Sequence, residues 1–259
     1  MADYIFHTAF AGTDLTVAGG KLFVAGATAV LGWTSELPST GAYPDFSLAS
    51  GSVGTVQFQN LQGVSWDGTW FALSDAGNSQ IYVWNGIPNP PRAPDHILAT
   101  GPTGTSTVGS LSSNGTTLAA VLTFDAKIEL FNLTNISATP QYVDGSSINP
   151  NAPIRFNLPE GVALSGNKLF VADTVFNRVQ IWNDFSAAIT GSAADVILGQ
   201  PDNNINDTNP RSGKTPSSGQ GSCPLMAAIY GLESTSSQAG CCDSRYINVS
   251  NLISIWIFY

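Results

Sequence analysis

The feature that most constrains this chain is a recurrence with a period near 50 residues. Trp33, Trp84, Phe131 and Trp182 each close a β-type run, at intervals of 51, 47 and 51 residues. Leu22-Phe23-Val24, Trp70-Phe71-Ala72, Leu118-Ala119-Ala120 and Leu169-Phe170-Val171 mark an earlier run in each period. Asp45, Asp95 and Asp195 open a later one, separated by multiples of 50. A recurrence on this scale marks supersecondary units that cannot bury their apolar faces alone and must stack.

The clearest unit lies between residues 158 and 200. It holds four runs rich in Val, Ile, Leu, Phe and Trp: Gly161–Leu164, Lys168–Asp173, Arg178–Trp182 and Asp195–Leu198. Turn formers separate them, with Ser165-Gly166-Asn167 between the first two and 173–177 between the next two. The pattern predicts an antiparallel meander of four strands. Further units follow the same plan at 14–50, 61–101 and 110–145. An all-β propeller of four-stranded blades is the architecture that uses them.

The chain ends suggest how such a ring closes. Ala2-Asp3-Tyr4-Ile5-Phe6 reads like Pro94-Asp95-His96-Ile97-Leu98, a fourth strand with nothing before it. Asn251-Leu252-Ile253-Ser254-Ile255-Trp256 reads like Asn177-Arg178-Val179-Gln180-Ile181-Trp182, a third strand. Pairing of the N-terminal strand with a C-terminal blade, 226–259 plus 3–8, is therefore expected, because it removes two exposed sheet edges. The count is five blades, with six as the alternative, in a single domain over 1–259. The polar stretch 201–221 reads as a long surface loop.

The run LPEGVALSGNKLFVADTVFNRVQIW resembles the NHL repeat, through Pro159, Gly161, Val162, Ala163, Leu169, Val171, Ala172, Asp173, Asn177, Arg178 and Val179. The other units keep mainly the apolar frame, with Gly63, Val64 and Asp75 retained in the second. The resemblance implies a propeller, usually of six blades in that family. It also implies a choice among protein-binding scaffolds, RNA-binding scaffolds and lyases.

Composition narrows that choice. Charged residues are only 10% of the chain and its net charge is −9. No cationic surface is evident, so neither nucleic acid nor an anionic membrane surface is an expected partner. No apolar run reaches the ~18 residues of a membrane-spanning helix. The opening MADYIFHTAFAG lacks the basic and apolar regions of a signal peptide. The low charge and the wealth of Ser, Thr and Asn favour an extracellular or cell-surface setting. Asn114, Asn132, Asn135, Asn206 and Asn248 lie in glycosylation sequons. Cys223 pairs with Cys241 or Cys242, or all three remain thiols; their spacing fits no zinc pattern.

Propellers bind ligands at the axial channel or on a face. The residues in register at the start of the innermost strands are Thr13, Gln62, Gly109 and Glu160, the candidate ligand site. One carboxylate among them cannot hold a divalent cation, so neither a metal nor a cofactor is expected. His7 and His96 sit at equivalent outer-strand positions, too far apart to act as a pair. Asp75 and Asp173 end second strands and are expected to cap the turns that follow. The recurrent aromatics, Trp256 included, read as packing between blades. Trp66 and Trp70 flank a hairpin turn and offer either core packing or a platform for stacking on a glycan. No catalytic motif appears. The expectation is a non-catalytic binding or structural protein with a protein or glycan ligand, able to self-assemble into homo-oligomers or fibres. The alternative is a propeller enzyme, a lyase or sugar-processing hydrolase, with its site at the axial channel.

Overall fold

A computed structural model of the chain describes residues 11–35, 41–149 and 151–199. They form four antiparallel four-stranded sheets, each a simple meander. Blade 1 contains β1 (Gly12–Ala18), β2 (Lys21–Gly26), β3 (Ala29–Trp33) and β4 (Phe46–Ala49). Blade 2 contains β5 (Leu61–Trp66), β6 (Trp70–Asp75), β7 (Gln80–Asn85) and β8 (His96–Ala99). Blade 3 contains β9 (Leu111–Ser113), β10 (Thr117–Leu122), β11 (Lys127–Asn132) and β12 (Gln141–Asp144). Blade 4 contains β13 (Pro159–Ser165), β14 (Lys168–Asp173), β15 (Arg178–Trp182) and β16 (Val196–Leu198). The innermost strands β1, β5, β9 and β13 of consecutive blades lie side by side, which is the propeller arrangement.

The four sheets span 12–49, 61–99, 111–144 and 159–198. The fifth sheet expected from 226–259 and 3–8, the loop 201–221, the three cysteines, His7, Trp256, Asn206 and Asn248 lie outside the described residues. One element departs from the all-β expectation. A short helix, α1 (Phe185–Ile189), sits between β15 and β16, capped by Asp184, whose carboxylate accepts the Ser186 backbone N–H.

Three apolar clusters hold neighbouring blades together. Phe23, Val30 and Phe46 of blade 1 pack on Trp66, Phe71 and Trp84 of blade 2. Ala72, Ile81 and Val83 of blade 2 meet Leu118, Leu122 and Phe131 of blade 3. Val121, Ile128 and Leu130 of blade 3 meet Leu164, Leu169 and Trp182 of blade 4. The recurrent aromatics Trp84, Phe131 and Trp182 are thus packing residues, as their spacing predicts.

Polar contacts repeat as faithfully. Trp33, Trp84 and Trp182 donate their indole N–H groups to the carbonyls of Ala42, Arg92 and Ser192 at 3.2, 3.0 and 2.9 Å. Each acceptor lies three residues before Asp45, Asp95 or Asp195. Those carboxylates in turn accept the backbone N–H groups of Thr34, Asn85 and Asn183, each at 2.7 Å. Every Trp–Asp pair therefore pins the connection between third and fourth strands at two points.

Candidate functional site

The first strands of three blades carry the same irregularity. Register shifts between Gly12 and Asp14, between Leu61 and Gly63, and between Pro159 and Gly161. Each shift leaves one residue unpaired: Thr13, Gln62 and Glu160. A β-bulge takes a residue out of the ladder and re-aims its side chain. In blade 3 the corresponding residue, Gly109, lies just before β9. Its N–H donates to the Val121 carbonyl at 2.8 Å, and its own carbonyl accepts the Ser74 hydroxyl at 2.6 Å. The four residues singled out from sequence therefore occupy one level of the innermost strands, one per blade.

Their surroundings differ from those of their buried neighbours. Thr13 and Glu160 are exposed and Gln62 is half-buried. The Thr13 hydroxyl donates to the Ala25 carbonyl at 3.2 Å, and the Gln62 amide donates to Asn60 Oδ1 at 2.8 Å. Glu160 Oε2 accepts the Thr174 hydroxyl at 3.1 Å. Such a set offers hydroxyl, amide and carboxylate groups to a polar ligand.

Sequence reasoning missed Asp14, beside this level. It occupies the register position held by Gly63, Ser110 and Gly161 in the other blades, and the lone ionisable group in that column was the available signal. Asp14 Oδ1 accepts the Leu15 N–H at 2.8 Å, and Oδ2 accepts the Val64 N–H of blade 2 at 3.1 Å. Burial between the blades pushes its carboxyl up to about 7, against the pull of those two N–H groups.

The remaining buried acids are structural. Asp75 accepts the N–H groups of Gln59 and Asn60 in the incoming connection, at 3.0 and 2.9 Å, and that of Gly77 in its own turn at 3.1 Å. Asp173 accepts the Asn157 N–H at 2.7 Å and pairs with the buried Arg178 guanidinium at 2.9 Å. The turn-capping expectation holds for Asp75. For Asp173 the grip falls on the incoming connection and on Arg178. Blade 3 has Leu122 at this position and uses Glu129 instead. Glu129 accepts the Gly101 N–H at 2.9 Å and the Tyr142 hydroxyl at 2.7 Å. Burial pushes the carboxyls of Glu129 and Asp173 upward.

The other candidates fall elsewhere. Trp66, only 8% exposed, packs edge-on to Phe23 in the first cluster, with ring centroids 6.2 Å apart. Trp70 is half-buried, and His96 is half-buried on the outermost strand β8. The Asn114 side-chain amide donates to the Gly166 carbonyl of blade 4 at 2.8 Å, while Asn132, the last residue of β11, and Asn135, on the turn that follows, are exposed. Among the described residues no three His, Cys, Asp or Glu side chains stand together as metal ligands. No helix among them is long and apolar enough to cross a membrane.

No protein-family model matches the chain. No curated protein matches it in sequence. Solved structures match it in shape. U3-55K aligns with a TM-score of 0.51 at 11% identity, over 74% of this chain and 53% of that one. A glutaminyl cyclase from Myxococcus xanthus aligns with a TM-score of 0.49 at 11% identity, over 75% of this chain and 72% of that one. The RRP9 WD40 repeats align with a TM-score of 0.49 at 12% identity, over 68% and 49%. The chain spans about half the length of the U3-55K structure, and at such identity the likeness concerns the fold alone.

Proposed function

We propose that this chain is a non-catalytic, NHL-like β-propeller that binds a protein or glycan at the bulged end of its innermost strands. The observation that carries this reading is the shared bulge. It takes Thr13, Gln62 and Glu160 out of the ladder, in β5 and β13 from strands whose other residues mostly pack inward. The carboxylates in the core support it as well, because they are bound by backbone N–H groups and are not left free for proton transfer. An extracellular or cell-surface setting belongs to the same proposal and rests on the low charge of the chain.

The enzyme reading has one observation in its favour. Asp14, held near 7 beside the bulges, is suited to acid–base chemistry. Its two hydrogen bonds to backbone N–H groups, one across the blade junction, fit a structural role better.

A screen of glycans and peptides against the full chain tests the proposal. A ligand whose affinity falls tenfold or more in Gln62→Ala and Glu160→Gln, with unchanged melting, is the expected result. Ligands indifferent to both substitutions would place binding elsewhere.

A further inference from the structure

Every blade junction within the described chain is built alike, with one face of a blade packed on the opposite face of the blade before it. On the blade 2 face that receives blade 1, Val64, Trp66, Phe71, Leu73, Tyr82 and Trp84 are each 8% exposed or less. Strand register places Leu15, Val17, Leu22, Val24, Leu31 and Trp33 at those positions in blade 1. There Leu22 and Trp33 are buried, but Leu15, Val24 and Leu31 are half-buried and Val17 is 45% exposed.

The far side of blade 4 shows the complementary shortfall. Blade 3 meets blade 4 through Ala119, Val121, Ile128, Leu130 and Val143, each 3% exposed or less. The equivalents in blade 4 are Phe170, Ala172, Val179, Ile181 and Leu198. All but Val179 are half-buried, and Val196 beside them is 43% exposed. Neither set contains a charged side chain. Among the described residues two apolar flanks therefore remain, and they are the two halves of a junction that these residues already make three times.

We propose that the blade 1 flank of one copy packs on the blade 4 flank of a second copy, and that two such junctions close a two-fold ring of eight blades. Joining is head-to-tail, so each copy uses both flanks, and eight blades fall within the range that propellers adopt. The sequence of 201–259 matches the pattern of such a junction less well. In the described blades the second strand opens with Leu22, Phe71, Leu118 or Leu169, 11 to 13 residues before the third-strand aromatic. Thirteen, twelve and eleven residues before Trp256 stand Asp243, Ser244 and Arg245, charged and polar groups where the junction needs apolar ones. The interval from Trp182 to Trp256 is 74 residues, not 47 to 51.

Light scattering on the full chain tests this, with Val17→Asp and Val196→Asp as variants and circular dichroism as the check on folding. The expected mass is twice the 27.1 kDa of one chain. Each variant alone is expected to give a monomer, and the two mixed should recover a dimer, because one intact junction remains between them. Should either variant unfold, Leu31→Glu and Ala172→Glu test the same flanks. A 27.1 kDa species at every concentration would overturn the proposal, including the case in which the chain's own residues cover the flanks. So would a dimer insensitive to both substitutions, variants that stay monomeric when mixed, or open-ended filaments.

Discussion

Asp95 Oδ2 accepts the backbone N–H of Asn85 at 2.7 Å, ten residues back along the chain. With the bond from the Trp84 indole to the Arg92 carbonyl, it pins the proline-rich connection between β7 and β8 at both ends. Asp95→Ala should cost about 1–2 kcal/mol, because it removes the charge-assisted bond from the Asn85 N–H and, with little added cost, the exposed ion pair with Arg92. Urea unfolding with an unchanged slope and a lower midpoint is the expected readout. Asp45 makes the same contact in blade 1. Burial alone would push its carboxyl up, but hydrogen bonds from the Ser35 and Thr34 hydroxyls and backbone N–H groups outweigh this and hold it at about 2. A carboxyl held below its unfolded value of 3.8 stabilises the fold above that value and ceases to do so as pH falls through about 2. The cost of Asp45→Ala should accordingly vanish in strong acid.

Asp14 works in the opposite direction. Its folded value of about 7 lies above its unfolded value of 3.8. Its contribution is full below 3.8 and is lost as pH rises toward 7, where the unfolded chain releases a proton that the folded chain retains. Asp14→Asn carries no such loss. Whatever fixed cost the substitution has, the Tm of the variant relative to the parent should climb by about 10 °C between pH 4 and pH 8. A difference that stays flat across that range would show that Asp14 is not buried as described.

Gly63 and Gly161 share one register position but face different neighbours. A Cβ at Gly63 would lie 2.6 Å from the Gly109 carbonyl and 2.8 Å from the Ser74 hydroxyl. At Gly161 the nearest atom would be the Ala172 Cβ at 3.2 Å. Gly63→Ala should therefore cost about 1–3 kcal/mol by forcing blades 2 and 3 apart. Gly161→Ala should cost less than half as much. Chemical denaturation of the two variants side by side checks the order.

Much of this architecture is determined by the sequence alone. Four strands per period and the Trp–Asp spacing follow from local rules: alternation, turn formers and a repeating aromatic. The same register picked out Thr13, Gln62, Gly109 and Glu160, because a repeat assigns equivalent positions without coordinates. Helix α1 escaped notice because five residues carry too little periodicity to stand against a strand-rich context. What only the tertiary structure decided is how positions in different blades meet. Asp14 appears in sequence as an ordinary polar start to a strand; its carboxyl is pushed up to about 7 because packing partly buries it between the blades, beside the Val64 N–H 50 residues away. Sequence left Trp66 between core packing and stacking on a sugar, and the Phe23 ring packed against it places it in the core. Leu15 and Val64 are equally apolar residues at one register position. Their unequal burial depends on whether a neighbouring blade is present, a property of the assembled ring and not of either residue.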